Sequence, residues 1–595
     1  MSQSLVCQEE TRFLLEVITP WLTDLVTTCA GCEADFYNVE TAVSDLINRL
    51  RPFLVARGLT TSVSCCSHDY VCPDCDASLS SWGRVPRQIE TSQGGATIEI
   101  PRYRCTSCKC DYYPVLVMNG LIQKNHFTVG AKERIVKEAV EDPYAHASES
   151  LPEIGISVSA KEVDRLARQV AEWHQRETQK EVDWWRQQKE RQTEAIFIST
   201  DDDLRSKMSM PPGLFNWKGW EDVECVQISV DGAMVRSPER DDKGKLKWFL
   251  EYSGMIRAVD PTLKMIRGSG EAPRLQGTPR MHADARAQGP TAVPSFQLSP
   301  QGKTPSTRQT PAKSSCQNAT TFHTAGVRSL DPLFERLAAV YQQSPCSTKK
   351  AVFVSDDGQG LFNRAGQYFP NAIQILDIYH AGEHVGSGAD AIWGPGSKQA
   401  IDIKERAISL LKEPGGVQRI IRFFLRSLRA SRAPESAGRQ GQGTQFLAPL
   451  SDPASCTGES IRGARQGLTS YMTSVACDFN LDQIDKYPAR LQSEADLIRE
   501  LRYLRVNRHR MRYARWEAQG LPIGSGAMES GINQVCVERL RKPGMRWTKE
   551  GADAMLNIRS AQLSDTLKVT CERKRQANRQ EAARFFRHKT RSFSA

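Results

Sequence analysis

The chain opens without a basic segment. MSQSLVCQEETRFLLEV meets Glu9 and Glu10 before any apolar run, so no secretory signal is expected. No stretch reads as the roughly 18 consecutive apolar residues a membrane helix needs, and no membrane partner is expected. Charge of one sign is also scarce, with 79 Lys and Arg against 69 Asp and Glu and a net +10 over 595 residues. So small an excess acts through where it falls, and it falls late. Six arginines lie between Arg502 and Arg515, and eight cations face two acids from Cys571 to Ala595. That distribution favours nucleic acid over a membrane surface. With no signal, a cytoplasmic or nucleoid-associated protein is expected. Its 17 cysteines then stay reduced, and close pairs are better metal ligands than disulfides.

The length implies roughly three to five domains. Residues 1–60 read as a helical packing or dimerisation module, with Val43, Leu46, Ile47 and Leu50 on one face. Cys29 and Cys32 form a CxxC there without a second pair nearby. Residues 61–116 do carry two pairs, CPDC at Cys72 and Cys75 and CTSC at Cys105 and Cys108. Two knuckles supply four thiolates, which suits one tetrahedral Zn²⁺. The long spacer contains a Gly94-Gly95 turn and an alternating Thr97 to Ile100, so a zinc ribbon is predicted, one too small to fold without its metal. Cys65, Cys66, His68 and Cys110 are nearby spares.

Residues 117–195 read as helix, glycine-containing turn and capped helix, with Ser159 and Glu162 as a capping box. That is a helix-turn-helix pattern, and Lys161, Arg165 and Arg168 are its candidate groove-facing cations. A plain helical hairpin has the same pattern.

Further on, carboxylates follow apolar strands. Residues 196–259 hold DVECVQISVDGAMVR, a strand expected to end at Asp231, with Asp201 to Asp203 as a weaker rival source of ligands. Residues 260–326 are rich in Pro, Gly, Ser, Thr and Gln and are expected to be a flexible insertion. Residues 327–395 return to strand, acid, helix, strand, acid: KAVFVS runs into Asp356 and Asp357, and a later strand runs into DIYHAGEH with Asp377, His380 and His384. Residues 396–519 read as helices ending in a run where Arg508 and Arg512 are interleaved with Tyr503, Tyr513 and Trp516. In residues 520–565, Ser525 stands at a helix N-cap, Met528, Ile532 and Val535 make an inward face, and Glu529 projects beside it. The basic turn Arg539, Arg541, Lys542, Arg546 and Trp547 follows, and residues 566–595 are a basic tail.

Asp231, Asp356 or Asp357, and Glu529 thus stand in the order of an RNase H-like nuclease core, whose carboxylates hold two divalent ions. The fold class expected is multidomain α/β: an RNase H-like core with a helical insertion, preceded by helical, zinc-ribbon and helix-turn-helix modules.

VDGAMV, FVSDDGQGLFNRAGQYFPNAIQILDIYHAGEH, and RYLRVNRHRMRY followed by GLPIGSGAMESGINQVCVERLRKPGMRW resemble the DDE transposases of ISKra-type bacterial insertion sequences, relatives of Mutator-like elements. The resemblance spans Glu221 to Arg559 apart from two long insertions. It implies that Asp231, Asp356 and Glu529 are catalytic and hold two Mg²⁺ or Mn²⁺, and that Asp377 with His380 is a D-x-x-H motif shaping the core. In the resembled family the acid stands thirteen positions before the Phe of an FP pair and seven before an Asn, which selects Asp356 through Phe369 and Asn363. Asp357 before Gly358 is the competing choice. The implied function is DNA transposition by cleavage and strand transfer at element ends, on double-stranded DNA, by a homo-oligomer in the bacterial cytoplasm. A zinc-ribbon DNA-binding regulator, or an inactive transposase derivative, is the alternative.

Overall fold

The computed structural model describes residues 3–31, 35–64, 69–121, 125–195, 213–259, 320–327, 329–356, 358–432 and 489–585. Two long helices come first, α1 (Gln3–Gly31) and α2 (Phe36–Ser64), paired as a hairpin. Phe53 holds them together, 5.4 Å from Trp21 and 6.5 Å from Phe13 between ring centroids. Within α1, Thr11–Ala30 is long and apolar enough to cross a membrane, with mean hydropathy 1.3 and none of it buried. This corrects the expectation that no such stretch exists. Glu16 and Asp24 interrupt the apolar letters, but averaged over the helix its leucines, valines and isoleucine dominate.

A three-stranded antiparallel sheet follows: β1 (Leu79–Thr91), β2 (Gly94–Cys105) and β3 (Asp111–Tyr112). The hairpin between β1 and β2 is closed by Thr91 opposite Gly94, so the glycines predicted as the turn begin the second strand. Gly94 takes φ +114°, a conformation that side chains avoid. Ile89, Ile98 and Ile100 pack on the sheet's inner face. After the short α3 (Pro114–Met118) come α4 (Val129–Glu141), α5 (Tyr144–Ser150) and α6 (Ala160–Ala195) around Ile135, Ala139, Leu151, Val163 and Leu166. Gly155 at φ 81° makes the turn before α6. The capping box is half formed. Ser159 Oγ accepts from the Glu162 amide at 3.3 Å, while the Glu162 carboxylate turns to Arg165. At 36 residues α6 is roughly 54 Å long, and it carries the chain from the helical unit to the central sheet.

That sheet has five strands, β4 (Cys225–Arg240), β5 (Leu246–Ala258), β6 (Phe322–Gly326), β7 (Lys350–Ser355) and β8 (Ile373–Leu376), in the order β6-β5-β4-β7-β8. β4, β5 and β6 are antiparallel, whereas β7 and β8 run parallel to β4. Val226, Ile228, Val230, Val352, Phe353 and Val354 are fully buried, each worth roughly 1.5–3 kcal/mol. α7 (Leu330–Gln342) leads into β7, α8 (Leu361–Tyr368) joins β7 to β8, and α9 (Ile378–Trp393) follows β8. β6 lies inside the stretch expected to be structureless. FHTAG shows no alternation, and its strand geometry comes from pairing with β5.

The helices α10 (Lys398–Lys412), α11 (Gly416–Arg432) and α12 (Ala489–Asn507) pack beside α9, and α13 (Tyr513–Ala518) packs on α10, in the region expected to be a helical insertion. Then α14 (Gly526–Ile532) runs through a π-helical turn at Asn533–Val537, and α15 (Lys549–Leu563) and α16 (Thr566–Ala583) follow. The expected basic tail is therefore helical over most of its length, with Leu567, Thr570, Cys571 and Asn578 buried.

Candidate functional site

β4 and β7 pair only from Cys225 opposite Lys350 to Ile228 opposite Phe353. β7 stops at Ser355, while β4 continues against β5 with Asp231 opposite Ser253. Asp231 therefore lies within a strand and not at its end, because the β4–β5 hairpin outruns the parallel part of the sheet. The Ser355 hydroxyl donates to the Val230 carbonyl at 3.4 Å and keeps the start of the next loop, Asp356, beside Asp231. Asp356 Oδ1 accepts from the Gly358 amide at 3.0 Å, a turn that fixes the carboxylate's direction. Asp357 lies outside the described residues, as do Cys32, Cys65, Cys66, His68 and Asp201 to Asp203.

The Asp231 carboxyl is pushed up to about 6, first by burial and then by the charges of Asp356, Glu529 and Asp377. These four acids share one neighbourhood. None of Asp231, Asp356 and Glu529 forms an ion pair with a lysine or arginine among the described residues. Their oxygens do not gather within 4.8 Å of one another, as uncompensated like charges would not.

Glu529 sits in the first turn of α14, and Met528, Ile532 and Val535 face inward as the spacing predicts. Ser525 is at the N-cap, but its hydroxyl does not close its own helix. It donates to Asp377 Oδ2 at 2.8 Å, and its amide donates to Asp377 Oδ1 at 3.3 Å. Asp377 also caps α9 by accepting from the Tyr379 amide at 3.1 Å. One buried carboxylate thus braces two helix starts and sets where Glu529 emerges. His380 is joined to His384 at 3.2 Å between Nε2 atoms, and His384 Nδ1 to the buried Glu500 at 2.5 Å. Tyr503 stacks on His384 at 3.6 Å and donates to the Asp356 carbonyl at 3.4 Å.

The four cysteines form a second group. The sulfurs of Cys72, Cys75, Cys105 and Cys108 all lie within 4.8 Å of one another and can hold a zinc ion. The amides of Ser107 and Cys108 donate to Cys105 Sγ at 3.4 Å, as metal knuckles require. Tyr112 donates to Asp74 at 2.5 Å and stands 3.2 Å from Cys72 Sγ, tying β3 to the first knuckle. Cys110 bonds to the Cys108 carbonyl and stays outside the group.

A family model described as a domain of unknown function, DUF6431, matches residues 72–151, from the first knuckle to the end of α5. No curated protein matches the chain. Among solved structures, the Drosophila P element transposase strand transfer complex is similar at 9% identity over 76% of this chain and 96% of that one. Its TM-score of 0.24 does not establish a shared fold.

The predicted basic positions divide sharply. Lys161, Arg508, Arg512 and Arg546 are exposed. Arg165 and Arg168 are held by Glu162 and Asp164 of their own helix. Arg541 donates to the Met234 carbonyl at 2.7 Å, and Lys542 to the Glu141 carbonyl at 2.7 Å. Arg539 and Trp547 are not surface residues at all. Arg539 is fully buried over the rings of Tyr144 and Trp547, bonded to the Ala139 carbonyl at 2.9 Å. Tyr513 and Trp516 are buried as well, so these rings pack and do not stack on bases.

Sequence reasoning missed Glu251, which is fully buried beneath Asp231 and accepts from the Ser253 hydroxyl at 3.0 Å. Burial pushes its carboxyl up to about 8 against hydrogen bonds from Ser253 and Cys536. The signal was one acid inside the apolar strand WFLEYSGMI. Glu500 was marked similarly, falling among the buried Leu497, Leu501 and Leu504.

Proposed function

We propose that this chain is a DNA transposase whose RNase H-like sheet carries Asp231, Asp356 and Glu529 as the acids of a DDE site. The observation that carries the reading is the convergence of those three carboxylates, from a central strand, the end of its parallel neighbour and a late helix, with their charges felt at Asp231. The donor set fits hard divalent cations, being all oxygen and unpaired with any lysine or arginine among the described residues. Bound there, Mg²⁺ or Mn²⁺ would supply Lewis-acid stabilisation to the attacking and leaving oxygens of phosphoryl transfer. The protein's part is to hold the carboxylates. Asp377 and Ser525 fix the start of the Glu529 helix, and Ser355 and Gly358 fix Asp356. The exposed Arg508, Arg512 and Arg546 hold backbone phosphates, and the ribbon and the α4–α6 unit add contacts to double-stranded DNA.

The experiment is divalent-dependent nicking of DNA that carries the inverted repeats flanking the gene. Asp231→Asn, Asp356→Asn and Glu529→Gln should each abolish nicking while leaving the circular dichroism spectrum and the zinc content unchanged. End binding by the wild type without nicking in Mg²⁺ or Mn²⁺ would leave the regulator reading in its place.

A further inference from the structure

α4, α6 and α16 enclose a recess of about 620 Å³ that shares no residue with the carboxylate site. Its lining includes Lys132 from α4, Arg165, Gln169 and Trp173 from α6, and Lys574 and Asn578 from α16. Lys132 is an unusual lysine. Its side chain is only 2% exposed, yet among the described residues it has no carboxylate within ion-pair distance. Its ammonium rests 5.1 Å from the Trp173 ring centroid, and the Lys574 ammonium approaches the same ring at 5.7 Å. Lys574 likewise has no ion-pair partner among the described residues.

Burying a charge without a partner is costly, and an indole face returns only part of that cost. Burial and the charges of Arg165 and Lys574 push the Lys132 ammonium down to about 8, which still leaves it mostly charged at neutral pH. The recess also holds an orphan donor. Asn578 is 3% exposed and its Nδ2 has no hydrogen-bond partner among the described residues. It fits against Gly120, which takes φ +68° and where a Cβ would stand 2.4 Å from that nitrogen. Glu162, Glu172 and Glu581 also line the recess; the first two are paired with Arg165 and Arg176, and Glu581 is exposed to solvent. The framework is firm, because His174 Nδ1 and Thr570 Oγ1 meet at 2.9 Å and lock α6 to α16.

We propose that this recess binds a phosphate group, with Lys132, Lys574 and the Asn578 amide as its donors and Arg165 at its rim. A tetrahedral oxyanion of up to two charges offers acceptors to several separate donors and compensates two ammoniums at once. The phosphate belongs either to a DNA backbone or to a soluble phosphate ester, and these sources are separable.

The test uses the full-length protein in Mg²⁺-free buffer, with inorganic phosphate, pyrophosphate and a 20-base-pair duplex of arbitrary sequence as probes. Calorimetry should give one phosphate site per chain. Lys132→Met keeps the apolar stem and Lys574→Gln keeps the polar surface, and each should weaken binding about tenfold or more, the loss of one charge-assisted contact. In the wild type, bound phosphate should slow amine labelling of Lys132 read by mass spectrometry. Duplex that protects Lys132 and displaces phosphate identifies the backbone as the source; protection by phosphate or pyrophosphate alone identifies a soluble ester, and either result keeps the site. No saturable phosphate binding, wild-type affinity in Lys574→Gln, or unchanged Lys132 labelling overturns it. If Lys132→Met does not fold, those last two measurements still decide.

Discussion

Arg539 and Arg546 belong to the same basic loop and meet opposite surroundings. The guanidinium of Arg539 lies between Tyr144 and Trp547 and bonds to the Ala139 carbonyl, so it joins α4 to the chain beyond Glu529. Arg546 faces solvent. Arg539→Ala should therefore lower stability by about 3 kcal/mol, through a cavity and a carbonyl left without its donor. Arg546→Ala should change stability by less than about 0.5 kcal/mol. Its effect should fall on DNA affinity, weakening all sequences alike and reducing the salt slope by about one. Thermal melting and salt-titrated binding check the pair; an Arg539→Ala protein that melts like wild type, or an Arg546→Ala protein with an unaltered slope, defeats the assignment. At the carboxylate group, Ser525→Ala removes the hydroxyl that Asp377 holds but no acid. It should lower nicking by about 10–100-fold, since it loosens the positioning of Glu529 and not its chemistry. Wild-type nicking in that variant would mean the brace does not matter.

At the scale of elements, the ribbon shows how a metal site spreads its influence. Cys72 and Cys105 are buried while Cys75 and Cys108 are exposed, and the inner pair packs with Tyr70, Leu79, Val117, Ala582 and Phe585. The last two residues belong to α16 and its end, so the knuckles help seat the C-terminal helix. Cys105→Ser should release zinc and also raise amide exchange across Thr566–Ala583, a helix distant from it in sequence. Full zinc retention would remove the site, and unchanged exchange in α16 would remove the coupling. The knuckles were legible because two CxxC pairs carry their chemistry in the spacing. β7 and β8 were legible as short apolar runs ahead of an acid, and α14 by its inward face. β6 was not, because FHTAG becomes a strand only when β5 offers an edge to pair with. Nor did the letters VDG reveal that β4 continues past Asp231, since that depends on the partner strand's length. The burial of Arg539 and Trp547 was equally hidden, because a loop of arginines reads as surface until the rings that enclose one of them are brought in from α5 and from the loop itself.

Across the whole molecule, segments far apart in the chain are joined by buried contacts. Arg559 bonds to the Val140 carbonyl and to Glu538, Val71 N–H donates to the Phe585 carbonyl at 2.9 Å, and Arg336 is paired with Glu181 inside the junction of α6 and α7. The helical unit α4–α6 is therefore fixed to the elements that carry Glu529, and not hung from a linker. His174 is a buried titrating group in that junction. Burial, with Arg336 nearby, pushes its imidazole down to about 3, from 6.5 in an exposed chain. The folded protein thus keeps His174 neutral while the unfolded chain takes up a proton below about 6.5. Between pH 6.5 and 3 the unfolded state binds more protons, so this residue's contribution to stability is present above 6.5 and is lost as pH falls, by about 1 kcal/mol per pH unit. Glu251 works in the opposite sense. Its carboxyl, raised to about 8 from 4.5, stays protonated when folded, so its contribution is lost as pH rises from 4.5 to 8. The two slopes partly cancel in the wild type, and single variants separate them. The stability difference between wild type and His174→Gln should shrink as pH falls from 6.5 to 4, while that between wild type and Glu251→Gln should shrink as pH rises from 5 to 8, both measured by urea unfolding. A difference that stays flat with pH in either series would mean that the group titrates alike folded and unfolded, and that the junction or the floor beneath Asp231 admits water.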